Sequence, residues 1–200
     1  MRKIILFATF LYSSILFAQT EKEIWFMQDF QISMGFSNLM PNKSMMGDAH
    51  ATALPVVYGR LGVFHFNQFS IGLHANVARM DVKDTQYYGD FDKTTYFTFG
   101  PYISFFQPVS SDIALQPYLS YDYSEYSTKF RYKRLDYSSN GLGIGMDFHY
   151  KAGEHSFFTF GLKYNINTLD TQAHPNWDKY LNNHHYFSAK IGFNFAKNRL

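Results

Sequence analysis

The amino-acid sequence predicts an all-β fold: a closed antiparallel eight-stranded up-and-down transmembrane β-barrel. Three observations carry that expectation. Eight segments alternate apolar and polar residues with a period of two, which is strand spacing and not helix spacing. Their connections alternate between tight turns and long polar loops, as in membrane-spanning barrels. Finally, 22 Phe, 16 Tyr and 2 Trp stand among 200 residues whose mean hydropathy is only -0.27. A disordered chain lacks such aromatics, and a helical membrane protein is far more apolar.

The first segment is not a strand. Met1-Arg2-Lys3 is basic, Ile4 to Phe17 is apolar apart from Thr9, Ser13 and Ser14, and Ala18 precedes Gln19. This is the pattern of a secretory signal peptide over 1–18, leaving 19–200 as one barrel domain. The run falls short of the roughly 20 apolar residues that span a bilayer. No Cys stands at the cut to carry a lipid, and with Cys 0 a disulfide framework, a thiolate metal site and a Cys nucleophile are excluded. The formal charge of +2 comes from Arg2 and Lys3, the only charges before residue 19, so the remainder is neutral. It carries no basic footprint for nucleic acid.

The eight alternating segments follow in order. Phe30, Ile32, Met34 and Phe36 form the first apolar face; Val57, Gly59, Leu61 and Val63 the second, against Tyr58, Arg60, Gly62 and Phe64. The third sets Phe69, Ile71, Leu73, Ala75 and Val77 against Ser70, His74 and Asn76. The fourth runs from Phe97 to Phe105 through Pro101, and the fifth from Ile113 to Tyr123 through Pro117. The sixth sets Leu142, Ile144, Met146 and Phe148 against Gly141, Gly143, Gly145 and Asp147. The seventh carries Phe158, Phe160, Leu162, Tyr164 and Ile166, and the eighth Phe187, Ala189, Ile191, Phe193 and Phe195. Asn67-Gln68, Gln107 to Asp112 and Lys151 to His155 read as tight turns, which are periplasmic in such barrels. Residues 37–54, 81–93, 125–138 and 168–184 read as long polar loops, and both termini fall at the short-turn, periplasmic end.

A soluble barrel would hide its apolar faces and show charge to water. Here the apolar faces are long and nearly free of charge, while Arg60, Asp122, Asp147, Lys163 and Lys190 share the other face. Aromatics gather at segment ends, as girdles at two interfaces would require. On these residues the chain resembles the small eight-stranded outer-membrane proteins of the OmpA/OmpX-like superfamily. Its Phe/Tyr-rich style and its Phe17-Ala18-Gln19 junction look like Bacteroidetes-type members. The resemblance implies an outer-membrane location, contact with outer-membrane lipid and lipopolysaccharide, and a final-strand aromatic read by the outer-membrane assembly machinery. Phe193 and Phe195 match that signal, with Ala196 to Leu200 extending past it. A monomer is expected.

Eight strands leave an interior just wide enough for side chains. Arg60, Asp147 and Lys190 fall at one level of the lumen, with Lys163 and Asp122 nearer the long loops. Such charges are costly unless paired, so a hydrogen-bonded network acting as a plug is expected. An electrostatic gate over a narrow pore is the alternative. Gly141, Gly143 and Gly145 lie on one strand face, which excludes a phosphate loop; they are expected to make room for large lumen residues such as Tyr118 or to permit strong local curvature. Pro101 and Pro117 are expected nearly opposite each other, forming one shared lesion.

No catalytic constellation is predicted. His155 and Ser156 are adjacent and point to opposite faces, and Ser70 and His74 share a face without an assigned acid. Asp48, His50, His174, Asp178, His184 and His185 lie in loops and read as solvated, so neither metal nor cofactor is expected. The outer loops are the stronger candidates. Tyr126, Lys129, Phe130, Arg131, Tyr132 and Arg134 sit where the fifth and sixth strands continue beyond the membrane as a hairpin. Tyr and Arg favour recognition, and an ordinary surface hairpin would share the composition. The expected function is a structural or surface-interaction barrel; a narrow gated pore or a transport- or secretion-associated barrel comes second, and a lipid-directed hydrolase third.

Overall fold

A computed structural model describes residues 24–41, 44–85, 91–130, 133–169 and 178–196. The signal segment 1–18 and the extension 197–200 lie outside the described residues. Alternation along the chain produces β1 (Ile24–Leu39), β2 (Ala53–Phe66), β3 (Phe69–Asp81), β4 (Lys93–Phe105), β5 (Ile113–Phe130), β6 (Lys133–Gly153), β7 (Ser156–Leu169) and β8 (Asn183–Ala196). Two short helices, α1 (Met45–Ala49) and α2 (Asp178–Asn182), lie in the loops before β2 and β8.

Each strand pairs antiparallel with its chain neighbours, and β8 returns to β1 from Asp29↔Ala196 to Leu39↔Tyr186. The eight strands therefore close into a barrel, which leaves no sheet edge along the paired rows. The turns at one end are short. Asn67 takes φ 53, a left-handed conformation that Asn tolerates and that a two-residue hairpin turn demands.

Burial is inverted relative to a water-soluble protein. Asp122 and Asp147 are fully buried in the lumen, whereas Leu142 and Ile144 on the outer face are 67% and 57% exposed. Phe30, Ile32, Leu73, Phe97, Phe160 and Phe193 continue that apolar outer band around the barrel. In β2 the alternation slips once. A bulge between Gly62 and Phe64 turns Phe64 outward and His65 inward, so the face expected for Val63 and Phe64 is exchanged.

The prolines do not share a lesion. The turn after β4 falls at Val109–Asp112, where the Ser110 hydroxyl accepts from the Asp112 and Ile113 amides, and Pro108 already pairs with Ala114. That moves the register so that Pro101 lies in the gap between Phe99↔Tyr123 and Tyr102↔Ser120. Pro117 falls beyond Ser104↔Tyr118, beside the break at Phe106. Each proline lacks a donor and interrupts its own stretch of ladder.

The loop over 37–54 is not simply polar. α1 sits in the mouth of the barrel, over an apolar cluster of Leu39, Met46, Ala49, Ala53, Val56, Ala78, Met80 and Leu169 with Tyr58, Tyr96, Tyr126 and Tyr186. Ser44 caps the helix by accepting from the Gly47 amide. Gly47 is required for the close approach, since a Cβ there would overlap the Met40 carbonyl oxygen. The Lys83 amide donates to the Ala49 carbonyl at 2.8 Å, and the Tyr137 hydroxyl donates to Met46 Sδ at 3.3 Å. From α2, Tyr180 donates to Asp48 at 2.9 Å. A helix this short gains little from its own hydrogen bonds; its buried face holds it.

Candidate functional site

Period-two alternation turns one residue in two toward the lumen, and the strand register sets its height. The five charges picked out in the sequence assemble into two layers. In the layer nearer the short turns, Asp147 on β6 accepts from Arg60 on β2 at 2.5 Å and from Lys190 on β8 at 3.1 Å. The Arg60 guanidinium lies 4.2 Å from the Tyr102 ring centroid and 4.6 Å from that of Tyr118, a cation held between two π faces. In the layer nearer the loops, Asp122 on β5 accepts from Lys163 on β7 at 2.6 Å, from Tyr186 at 3.3 Å and from the Asn165 amide.

His74 completes this second layer, with Nε2 3.0 Å from Asp122 Oδ1. Alternation alone puts His74 in the lumen but assigns it no acid. Its register with Arg60 was the available signal; the partner on β5 emerges only on closure.

The glycines of β6 make these contacts possible. A Cβ at Gly145 would fall on the Tyr118 ring, and one at Gly143 would meet Lys163, Ser120 and Asn165. Space left among Tyr58, Arg60, His74, Tyr118, Lys163 and Lys190 amounts to about 20 Å³, enough for a water or so. Below lies a further polar floor, where His149 contacts Gln116 and Thr159 at 2.9 Å each, beside the Phe106 and Phe157 rings. The lumen side chains thus stack in three successive layers, with α1 over the loop end. Chemically, each buried carboxylate is neutralised locally by cations and hydrogen-bond donors.

The residues weighed for catalysis separate. Ser70 Oγ lies 2.8 Å from His65 Nδ1, His74 turns to Asp122, and exposed His155 lies 3.9 Å from Glu154 in a turn. The histidines expected in loops are also dispersed, and His184 and His185 stand on β8, where His184 is fully buried. His50 contacts the Met46 carbonyl and Thr94, His184 contacts Tyr126, and His185 contacts Tyr164, while Asp178 accepts from Asn182. His174 lies outside the described residues. His50 also departs from its expected solvated state: burial under α1, assisted by Lys83 and opposed by the Met46 carbonyl, lowers its pKa to about 4.

The hairpin continues to Phe130↔Lys133, as the alternation suggests. Tyr126 does not join the outer contact surface expected for it. It faces inward, stacked 5.1 Å from Tyr137 with its hydroxyl 2.8 Å from His184, because even-numbered β5 residues keep turning to the lumen above the charge layers. Arg134 is exposed and bonds Asp136 at 2.6 Å. Lys129 and Phe130 occupy the β5 backbone, and Arg131 and Tyr132 lie outside the described residues.

No family model matches the chain, and no curated protein matches it. Solved structures share its fold. Neisserial surface protein A superposes with TM-score 0.61 at 12% identity, over 88% of this chain and 99% of its own. The outer membrane protein OprG from Pseudomonas aeruginosa superposes with TM-score 0.53 at 16% identity, over 84% of this chain and 95% of its own. Both likenesses are of fold: the closed eight-stranded barrel of small outer-membrane proteins.

Proposed function

We propose that this chain is an integral outer-membrane barrel whose lumen is a structural plug and whose outward role, structural or recognition, belongs to its loop end. The observation that carries the reading is the inversion of burial. An apolar outer band encloses fully buried Asp122 and Asp147, an arrangement stable only where lipid replaces water outside. The fold likeness to outer-membrane proteins supports the same placement. The short turns and both termini then face the periplasm, and the β5–β6 hairpin faces out. Paired charges that leave only about 20 Å³ among Tyr58, Arg60, His74, Tyr118, Lys163 and Lys190 favour a plug over a pore.

The absence of native Cys allows a direct test. Ser127→Cys should label with an impermeant maleimide on whole cells, while Ser111→Cys should label only after the outer membrane is opened. The reverse pattern overturns the orientation. Planar bilayers holding the folded barrel should stay silent; regular conductance steps in the wild type would favour the gated-pore reading. Deleting residues 125–134 should remove whatever adhesion barrel-displaying cells show to matrix-coated surfaces, and unchanged adhesion counts against recognition by the hairpin.

A further inference from the structure

Four of the eight methionines gather at the mouth of the barrel. Met45 and Met46 lie on α1, Met40 supplies the carbonyl against which Gly47 packs, and Met80 belongs to the apolar seat beneath. Met34 and Met146 stand apart, on the outer wall. Methionine and leucine fill apolar space about equally well; what methionine adds is a sulfur open to oxidation.

Met46 anchors the lid. It has no solvent exposure, whereas Met45 beside it is half-buried against the same cluster. Its sulfur accepts from the Tyr137 hydroxyl at 3.3 Å, and its side chain packs in the cluster with Leu39, Val56, Met80 and Leu169. A helix of five residues gains little from its own hydrogen bonds, so the buried Met46 and Ala49 hold it in place.

We propose that α1 is an oxidant-released lid: oxidation of the Met46 thioether to the sulfoxide by a peroxide unseats the helix and opens the mouth. The sulfur lone pair attacks one peroxide oxygen, and the O–O bond breaks as the S–O bond forms. The departing hydroxide takes the proton of the transferred hydroxyl and leaves as water, so sulfur is oxidised by two electrons and the peroxide is reduced. Both sulfoxide epimers fit the closed lid badly. An oxygen on the lone pair facing Tyr137 displaces that hydroxyl, since 3.3 Å is already contact between sulfur and oxygen. An oxygen on the other lone pair is buried in the apolar seat, where the Tyr58, Tyr126 and Tyr186 hydroxyls are engaged by Phe36, His184 and Asp122. Local opening of so short a helix admits the oxidant, and the sulfoxide then holds the opened state. The direction from which oxidant arrives rests on the outer-membrane reading, which turns the mouth outward; the lid chemistry does not.

Hydrogen peroxide treatment of the folded full chain in lipid nanodiscs, followed by peptide mass mapping and amide exchange, tests the lid. Met46 should gain one oxygen. Exchange at residues 45–49 should then rise about tenfold or more in the oxidised fraction, the effect of a buried polar group left without a partner. Methionine sulfoxide reductases of both epimer specificities should restore slow exchange. Met46→Leu should keep slow exchange in peroxide, Met45→Leu should respond as the wild type does, and Met46→Gln should exchange quickly without oxidant. Slow exchange in chains carrying the Met46 sulfoxide, an undiminished peroxide response in Met46→Leu, or a Met46 thioether that survives full conversion of Met45 overturns the proposal. The isolated barrel reports on the lid whichever way it faces, so a reversed labelling pattern on whole cells defeats the orientation and leaves this inference standing.

Discussion

Lys163 and Asp122 meet at 2.6 Å although β6 lies between their strands. The lysine reaches across because Gly143, on the intervening strand, has no Cβ to meet its stem. Removing Lys163 alone leaves a carboxylate that has no solvent exposure without its lysine, with only His74, Tyr186 and Asn165 to hold it. Lys163→Met should therefore cost about 3–5 kcal/mol in urea unfolding from vesicles. Lys163→Met combined with Asp122→Asn should recover much of that loss. Equal stability of the single and double variants would show that the charge pair is not what holds this layer.

Tyr118 occupies the space that Gly145 leaves open and presents its face to Arg60. Gly145→Ala should destabilise the barrel by about 1–3 kcal/mol through overpacking. Adding Tyr118→Leu should relieve that conflict while exposing the loss of the Arg60 contact. A double-mutant cycle separates the two effects, and strict additivity sinks the contact.

His50 makes the lid over the mouth sensitive to acid. Its Nδ1 donates to the Met46 carbonyl at 3.1 Å, so Nε2 accepts from the Thr94 hydroxyl at 2.8 Å, and Thr128 stands behind Thr94. The closed-state pKa of about 4 lies below the 6.5 of a solvated histidine. Above pH 6.5 both states are neutral and closure is fully stable. Between 6.5 and 4 the open state takes up a proton that the closed state refuses, so closure weakens progressively, by at most about 3 kcal/mol. Amide exchange at residues 45–49 should accelerate over that window in the wild type. His50→Gln should flatten the dependence, and a wild-type profile without any acid limb removes His50 from the latch.

Gly47 tests the two seals separately. Gly47→Val places a side chain on the Met40 carbonyl and should unseat α1, read as protease cleavage near residue 45. Bilayer conductance should nevertheless remain absent, because the Arg60–Asp147 and Lys163–Asp122 layers lie below the lid. Channel openings in this variant would mean that α1, and not the charge layers, closes the barrel.

Strand count, facing and the inward set of charges were legible because alternation is a local property, written residue by residue into Leu142 through Phe148 or Phe158 through Ile166. Features that depend on where a turn begins were less so. Moving one turn to Val109–Asp112 separated Pro101 from Pro117, and one bulge after Gly62 exchanged Phe64 for Val63 on the outer face. Tyr126 was misplaced because the sequence does not say where a lumen-facing row becomes a solvent-facing one.

By itself, then, the sequence determined that one face of every strand is apolar and the other polar, and that Arg60, Asp122, Asp147, Lys163 and Lys190 share the inside. Tertiary structure alone decided which of these charges pair. Closing the barrel brings β2 across to β6 and β5 within reach of β7, and it adds His74 to Asp122. It also decided that the 45–49 segment turns inward as a lid, since a five-residue helix is stable only against the apolar mouth that eight other segments assemble. Contacts between strands distant in sequence depend on shear and register, quantities that belong to the closed sheet and to no segment of it.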